Sequence, residues 1–161
     1  MAREAANFSV RGAEPSDFER VGSLSFALLD ELYPALGYER RAFVEAAKAL
    51  LSGGAGVWAF LAVAPDRGDV GLITLNECAA VYAGGRFGEI SELYVVPALR
   101  SSGVGTALVD AAVAFASARG WPNLEVGAPS VPEWQRTVDF YRRQGFVEVG
   151  PRLDLRLKRV G

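Results

Sequence analysis

Residues 92–106, ELYVVPALRSSGVGT, carry the strongest fold signal in the chain. A run of mostly β-branched and aromatic residues, Ile90–Val96, is cut off by Pro97, and the loop behind it holds Arg100, two serines and two glycines. An apolar pattern at helical spacing begins immediately afterwards. A strand, a glycine-bearing turn and a helix N-terminus in this order direct several backbone N–H groups and the positive end of a helix dipole at one point. The stretch predicts an anion cradle, residues 100–106, of a kind that suits a pyrophosphate.

The cradle differs from two better-known phosphate loops. A Walker loop needs G-x-x-x-x-G-K-S/T, and the chain has no Gly-Lys followed by Ser or Thr. A dinucleotide fingerprint needs a third glycine where Leu108 stands. The remaining pattern, Arg100-x-x-Gly103-x-Gly105, also fits a tight turn whose glycines only permit close packing. On its own it leaves both interpretations open.

A second motif lies near the C-terminal end of the chain. Residues Ser130–Glu133 fit a capping box, and an apolar stripe at helical spacing follows as far as Tyr141. Gly145 fits a helix C-cap, and Phe146–Val149 reads as the start of a strand. The segment FYRRQGF, residues 140–146, thus places a tyrosine on a helix just before a Gly-Phe stop.

Together, the two motifs resemble the signatures of the GNAT superfamily of acyl-CoA-dependent N-acetyltransferases, R/Q-x-x-G-x-G/A after a strand and Y-x-x-x-G-F after a later helix. The resemblance is clear over residues 87–149 and faint before them. It implies an α/β (α+β) fold, with a mixed, mostly antiparallel sheet of six to seven strands flanked by about four helices. It also implies a single GNAT-like domain over residues 1–161. The implied activity is transfer of the acetyl group of acetyl-CoA to a primary amine by direct attack in a ternary complex, releasing coenzyme A.

The resemblance assigns most of the coenzyme contacts to backbone groups. It implies that Leu93, Tyr94 and Val95 pair with the pantetheine arm as though it were another strand. These three residues also read as ordinary core strand positions, and both interpretations hold together. The residues implied to hold the pyrophosphate are Arg100, Ser101, Ser102, Gly103, Val104, Gly105 and Thr106.

Glu92 and Tyr141 are the candidate catalytic residues. The chain contains no histidine, so a general base has to be a carboxylate, a tyrosine, an amine or water. Glu92 stands in an otherwise apolar strand, where burial raises a carboxyl pKa toward the range of a base; a structural glutamate bonded to a neighbouring loop is the alternative. Tyr141 matches the family tyrosine that donates to the departing sulfur, which a phenol with a pKa of about 10 can protonate. A purely structural tyrosine is again the alternative.

The acceptor site is the least defined part of the prediction. GNAT proteins commonly carry Asn seven residues before the tyrosine and Ala four before it, where this chain has Trp134 and Thr137. Trp134 either walls the acceptor pocket or packs at the edge of the core. Acidic and aromatic groups suit a cationic primary amine, although each carboxylate can equally be a solvated surface group. The candidates are Asp30, Tyr33, Glu77 and Trp134, with Glu31, Tyr38 and Tyr82 in the same predicted region. A protein N-terminus or lysine as acceptor, and a non-catalytic acyl-CoA-binding sensor, are the alternative functions.

Composition excludes several classes of partner. The formal net charge is −2, so no overall field attracts nucleic acid or an anionic membrane. A single Cys78 rules out an internal disulfide, and without histidine no metal site is expected. Residues 1–9 do not resemble a signal peptide, and glycines interrupt the longest uncharged stretch, Ala49–Pro65, so the expected location is the cytoplasm. Leucines at 153, 155 and 157 alternate with charged residues at 154, 156 and 158, which predicts an edge strand through which two copies could pair as a homodimer.

Overall fold

The structure is a computed structural model that describes residues 7–157. Residues 1–6, which belong to the segment tested for a signal peptide, and Lys158 of the predicted terminal strand lie outside this range. The chain divides into two compact units, one ending at Val126 and the other starting at Gly127. The expectation of a single domain over residues 1–161 therefore stays a prediction.

The first unit contains five strands and three helices among the described residues. Short 3-10 turns, each opened by a proline, precede α1, follow α1 and follow β4: Pro15–Asp17, Pro34–Leu36 and Pro97–Leu99. In chain order the elements are β1 (Ser9–Gly12), α1 (Phe18–Leu32), α2 (Arg40–Leu51), β2 (Val57–Ala64), β3 (Gly68–Ala80), β4 (Gly85–Val95), α3 (Val104–Ala118) and β5 (Leu124–Val126).

The five strands form one mixed sheet in the order β1-β2-β3-β4-β5. Strands β1 to β4 are antiparallel neighbours, and β5 joins β4 in parallel after the α3 crossover. This confirms the predicted fold class of a mixed, mostly antiparallel sheet. The predicted count of six to seven strands is wrong for the described residues, which hold five.

The two missing strands are those expected at Phe146–Val149 and at residues 153–157. Neither segment is a strand in the structure. The exposure of their apolar side chains is at least 80% at Val147, Val149, Leu153, Leu155 and Leu157. Alternation in sequence shows which residues share a face, but a strand also needs a neighbouring backbone to pair with, and the pattern does not name one. The expected edge strand for pairing two copies is therefore not formed in this structure.

Two predicted helix starts are also corrected. The fourth helix, α4 (Gln135–Arg143), follows Trp134 as N-cap, so Ser130–Glu133 is not its capping box. Before α1, Ser16–Glu19 has the same S-x-x-E pattern and predicts a second capping box, but the reciprocal cap joins Glu14 to Asp17. Pro15 explains the second shift, because its fixed φ suits the first position of a turn.

The two faces of the sheet are covered by different helices. On one face, Leu72 and Tyr94, which are direct partners on β3 and β4, belong to a buried cluster with Val21 and Leu24 of α1 and Ala47 of α2. Strand residues alternate between faces, so Gly71 points the other way, where Leu108 and Val104 of α3 would touch a β-carbon placed on it. Even-numbered β3 residues up to Thr74, and the β4 residues that pair with them, therefore face α1 and α2.

Candidate active site

A β-bulge in β4 sets the direction of the candidate base. Glu92 pairs with Thr74 and Ile90 pairs with Leu75, so Ser91 is an extra residue on β4. The Glu92 N–H donates to the Thr74 side-chain oxygen Oγ1 at 3.0 Å. Because Thr74 lies two residues after Leu72 on the same face, the Glu92 side chain points toward α1.

One edge of β4 is open beyond the bulge. Strand β5 pairs only with Gly88–Ile90, whereas β4 continues to Val95. The Val96 N–H donates to the Val70 carbonyl at 3.0 Å. Alternate residues of an antiparallel strand direct their backbone groups to opposite sides, so those of Leu93 and Val95 point away from β3. The structure thus leaves a strand edge at the residues predicted to pair with pantetheine.

The cradle follows directly from this edge. Ser101, with φ 63°, is the only residue other than glycine with a positive φ in the part of the chain that the structure describes. Gly103, with φ 94°, is the N-cap of α3, and the Ala107 N–H bonds back to its carbonyl at 3.0 Å. Val104 and Gly105 lie in the first turn, where an α-helix provides no intrahelical acceptor for the backbone N–H groups. A β-carbon on Gly103 would meet no heavy atom within 4 Å, so open space adjoins the helix N-terminus.

Arg100, at the start of the cradle, is held by side-chain and backbone hydrogen bonds. Its Nη1 and Nη2 donate to Glu31 Oε1 and Oε2 at 2.7 and 2.6 Å, and its Nε donates to the Val95 carbonyl at 3.0 Å. The guanidinium also lies 5.7 Å from the centre of the Tyr94 ring. The hydrogen bonds from Arg100 lower the pKa of the Glu31 carboxyl. Glu31, predicted near the acceptor, is thus bonded to Arg100, a residue predicted to bind the coenzyme.

Glu92 is a partly buried carboxylate on the α1 side of β4. Burial raises its pKa above the usual carboxyl value, and a hydrogen bond from the Ser25 hydroxyl, 3.5 Å from Oε1, acts in the opposite direction. Within residues 7–157, no arginine or lysine forms an ion pair with it. Sequence reasoning missed Ser25 and Thr74. The available signal was that Ser25 falls on the buried stripe of α1 with Val21 and Leu24, where a hydroxyl needs a partner.

Glu77, a predicted acceptor residue, is placed elsewhere. It pairs with Gly88, four positions before Glu92 along β4. Its carboxylate accepts hydrogen bonds from Trp121 Nε1 at 2.9 Å, Arg119 at 3.0 Å and Arg86 at 2.9 Å. The Trp121 bond is the largest cause that lowers the pKa of Glu77, followed by Arg119. Three donors already satisfy this carboxylate, and the structure does not bring it to Glu92.

The other acceptor candidates are spread over the protein. Asp30 and Tyr33 lie exposed at the C-terminal end of α1, next to Glu31. Tyr82 is 83% exposed at the tip of the β3–β4 hairpin. Tyr38 packs edge-to-face on Phe43, with ring centres 5.6 Å apart. Trp134 belongs to the second unit, where it is partly buried at the start of α4.

Tyr141 is buried in the second unit, on the last turn of α4. Its ring packs against Phe140 and Phe146, each with ring centres 5.5 Å away. Gly145, with φ 94°, ends the helix as predicted, and the Phe146 N–H bonds back to the Tyr141 carbonyl at 3.0 Å. Burial raises the pKa of the Tyr141 phenol, which therefore keeps its proton through the neutral pH range.

No helix within residues 7–157 combines the length and apolarity needed to cross a bilayer. Over the same residues, no three His, Cys, Asp or Glu side chains come together in a group that could hold a metal ion.

Comparison with known proteins places the chain in a family. A family model described as an acetyltransferase (GNAT) domain matches residues 54–148, more than half of the chain. No curated protein sequence matches the chain significantly. Among solved structures, a ribosomal-protein-alanine N-acetyltransferase from Brucella melitensis biovar Abortus 2308 superposes with a TM-score of 0.72 at 23% identity, covering 93% of this chain and 99% of that one.

Two other solved structures have the same fold. An aminoglycoside acetyltransferase from an uncultured soil metagenomic sample, in complex with sisomicin, gives a TM-score of 0.74 at 18% identity, over 94% of this chain and 97% of that one. A predicted acetyltransferase from Clostridium acetobutylicum, with acetyl-CoA, gives 0.72 at 19% identity, over 92% and 96%. Since the matched region includes β4, the cradle and the Gly-Phe motif after α4, the chain belongs to the GNAT acetyltransferase family and is an acetyl-CoA-dependent N-acetyltransferase.

Proposed function

We propose that the protein acetylates a primary amine of a small molecule by direct attack in a ternary complex with acetyl-CoA. The observation that carries this proposal is Glu92: a carboxylate with a burial-raised pKa, placed by a β-bulge between the open edge of β4 and α1. An acceptor amine is protonated at neutral pH and has to lose a proton before it can attack. A carboxylate whose pKa is raised toward neutrality is suited to take that proton.

The residues of the first unit fit the coenzyme. The outward backbone groups of Leu93 and Val95 suit the amides of a pantetheine arm, and the N–H groups of the cradle suit a diphosphate. The open space beside Gly103 supports this fit, because a phosphate has to come close to the main chain there. When bound, acetyl-CoA supplies an acetyl thioester. Tyr141, which keeps its proton at neutral pH, is the proposed donor to the departing sulfur.

The acceptor class is supported by charge and by similarity. Asp30 and Tyr33 remain exposed at the end of α1 and offer a carboxylate and an aromatic face to a cationic amine. One neighbour of the same fold is an aminoglycoside acetyltransferase in complex with sisomicin. Polyamines, amino sugars, amino acids and aminoglycosides are therefore the proposed acceptors.

A protein N-terminus is the second candidate acceptor, favoured by the ribosomal-protein-alanine N-acetyltransferase neighbour. A non-catalytic acyl-CoA sensor is the third function, favoured by Trp134 in place of the family asparagine. The homodimer and the cytoplasmic location stay predictions, and light scattering of the purified protein tests the first of them.

Thiol release from acetyl-CoA, measured across a library of small amines and alanine-terminated peptides, separates these functions. The proposal expects release that depends on a small amine and that falls sharply in Glu92→Gln. Release only with peptides would move the assignment to the second candidate. Binding of coenzyme A without acceptor-dependent release would support the sensor.

A further inference from the structure

Arg100 occupies a defined position at the junction between the strand edge and the cradle. Glu31 accepts from two of its five N–H donors and the Val95 carbonyl accepts from a third. The Tyr94 hydroxyl is a further side-chain partner of the guanidinium. The bidentate contact is the planar geometry that arginine and carboxylate favour, and it fixes the orientation of the guanidinium as well as its position. The plane of the guanidinium therefore does not rotate freely at this end of β4.

The contact with Val95 holds the Arg100 guanidinium at the end of the open edge of β4. The Val95 carbonyl points to the open side of β4, since the next N–H, that of Val96, is bonded to Val70 on the β3 side. Arg100 Nε thus takes the last acceptor on the open edge. Any extended ligand that pairs with this edge has to end its backbone-type pairing here, and its next group meets the guanidinium and the N-terminus of α3.

We propose that Glu31 is a positioning residue for the coenzyme: it holds the Arg100 guanidinium at the end of the β4 edge, where the positive charge of Arg100 and an N–H group that Glu31 and Val95 leave unused serve the diphosphate. This inference rests on the proposed function, since it concerns the same coenzyme site. It assigns Glu31 to the coenzyme, whereas its place in the sequence near Asp30 and Tyr33 suggested the acceptor. Helix α1 then contributes to both halves of the proposed site: Ser25 bonds the proposed base, Glu92, and Glu31 bonds Arg100 at the cradle.

The first test measures coenzyme A affinity by calorimetry in Glu31→Gln, together with the KM values for both substrates. Glutamine keeps the size of the side chain but removes the charge and the two-point contact. We expect coenzyme A to bind about five- to tenfold more weakly, as suits the loss of one charge-assisted contact. The KM for acetyl-CoA should rise by a similar factor, while the KM for the amine and kcat at saturation stay within twofold. Glu19→Gln, which removes an exposed carboxylate from the other end of the same helix, is the matched control and should bind like the wild type.

A double-mutant cycle shows whether Glu31 acts through Arg100. In an Arg100→Gln background, adding Glu31→Gln should change coenzyme A affinity by less than twofold, because the group to be positioned is gone. Additive losses, a rise confined to the KM for the amine, or unchanged binding in the single variant would each overturn the inference. If the wild type itself bound no coenzyme A, the proposed function would fail instead, so the two failures are distinguishable. Matching thermal unfolding curves exclude a general loss of folding.

Discussion

The hydroxyl of Ser25 on α1 faces the carboxylate of Glu92 on β4, with 3.5 Å between Oγ and Oε1. The two residues are 67 positions apart in sequence and meet only because α1 packs on the face of the sheet to which the bulge at Ser91 turns Glu92. Burial disfavours the charged carboxylate, whereas the hydroxyl favours it, and the net effect is a raised pKa. The pair therefore sets the pH range in which the carboxylate of Glu92, the proposed base, is ionised.

Glu92→Gln is expected to lower kcat by about 10² to 10³-fold, the usual contribution of a positioned general base. Glutamine has the shape of glutamate but cannot accept the proton of the amine. In the wild type, kcat/KM should rise with pH through a limb that lies above the ordinary carboxyl pKa of about 4.3. Steady-state rates over a pH series in both proteins measure this. If the variant kept the same limb and most of its turnover, Glu92 would be structural.

Ser25→Ala is expected to move that limb to higher pH. The hydroxyl stabilises the ionised carboxylate, so its removal raises the pKa of Glu92 further and leaves less of the base ionised at neutral pH. Ser23→Ala is the matched control, because Ser23 lies on the same helix but bonds the Glu19 carbonyl and accepts from Arg40. An unchanged limb in Ser25→Ala, or an equal shift in Ser23→Ala, would contradict the role of the Ser25 hydroxyl.

Gly103→Ala is expected to weaken coenzyme A binding by at least tenfold. Alanine at φ 94° is strained by about 1–2 kcal/mol, and its methyl group enters the open space where a phosphate has to approach the backbone. Gly120→Ala provides the comparison at the other end of α3, since Gly120 also has a positive φ and open surroundings. Both variants should unfold at a similar, lower temperature, and only Gly103→Ala should lose affinity by calorimetry. Equal affinities in the two variants would remove Gly103 from the coenzyme site.

Local sequence signals predicted the elements that depend on nearby residues. One continuous turn is predicted by Pro97, the glycines of the cradle and the apolar helix after them. The structure forms this turn at the predicted residues. The end of α4 at Gly145 could also be predicted locally, because the positive φ that ends the helix depends on one residue being glycine. The short strand β5, Leu124–Val126, lies between turn residues, with Gly120 and Pro122 before it and Gly127 after it.

The errors concern contacts between distant segments. Glu77 looked available for an amine, but Trp121 and Arg119, more than forty positions later, already bond it. Glu31 was predicted near the acceptor, but in the fold it bonds Arg100, which lies 69 positions away in sequence. The segments at 146–149 and 153–157 have the alternating apolar pattern of strands, but this pattern does not specify which strand would pair with them. No local pattern reports which distant donor will meet a carboxylate. The strand, turn and helix of the cradle could therefore be predicted from the sequence, whereas the partners of the acceptor candidates could not.

Asp17→Asn is expected to destabilise the protein by about 2–3 kcal/mol at neutral pH. The buried Asp17 carboxylate accepts hydrogen bonds from Arg11 at 2.8 Å, from Arg20 at 3.1 Å and from the Glu14 N–H at 2.8 Å. The hydrogen bonds from Arg11 hold the pKa of Asp17 well below its usual range. A depressed folded-state pKa contributes stability that is fully present above the unfolded pKa, about 3.9, and is lost as the pH falls toward the folded value.

Urea unfolding of wild type and variant at pH 7 and near pH 3 measures this contribution. The difference between the two proteins should be largest at pH 7 and should shrink at the acidic pH. Asp66→Asn is the control, because its ion pair with Arg67 is exposed and should contribute only a few tenths of a kcal/mol. A constant difference at both pH values would assign the effect of Asp17→Asn to shape rather than to charge.

Tyr141→Phe is expected to lower turnover much more than it lowers acetyl-CoA affinity. The ring packs between Phe140 and Phe146, so phenylalanine preserves the packing and removes only the hydroxyl. A phenol with an ordinary pKa of about 10 is protonated at neutral pH, and burial raises the pKa of Tyr141 further. The wild type therefore has a proton to offer to a departing thiolate, whereas the variant leaves that charge to water. We expect a fall in kcat of about 10² to 10³-fold, with the Kd for coenzyme A within threefold. Phe140→Leu changes the neighbouring ring without touching a hydroxyl and should alter stability rather than kcat. Equal turnover by Tyr141→Phe and wild type would leave the tyrosine with a packing role alone, and the thiolate would then depart without a proton from this residue.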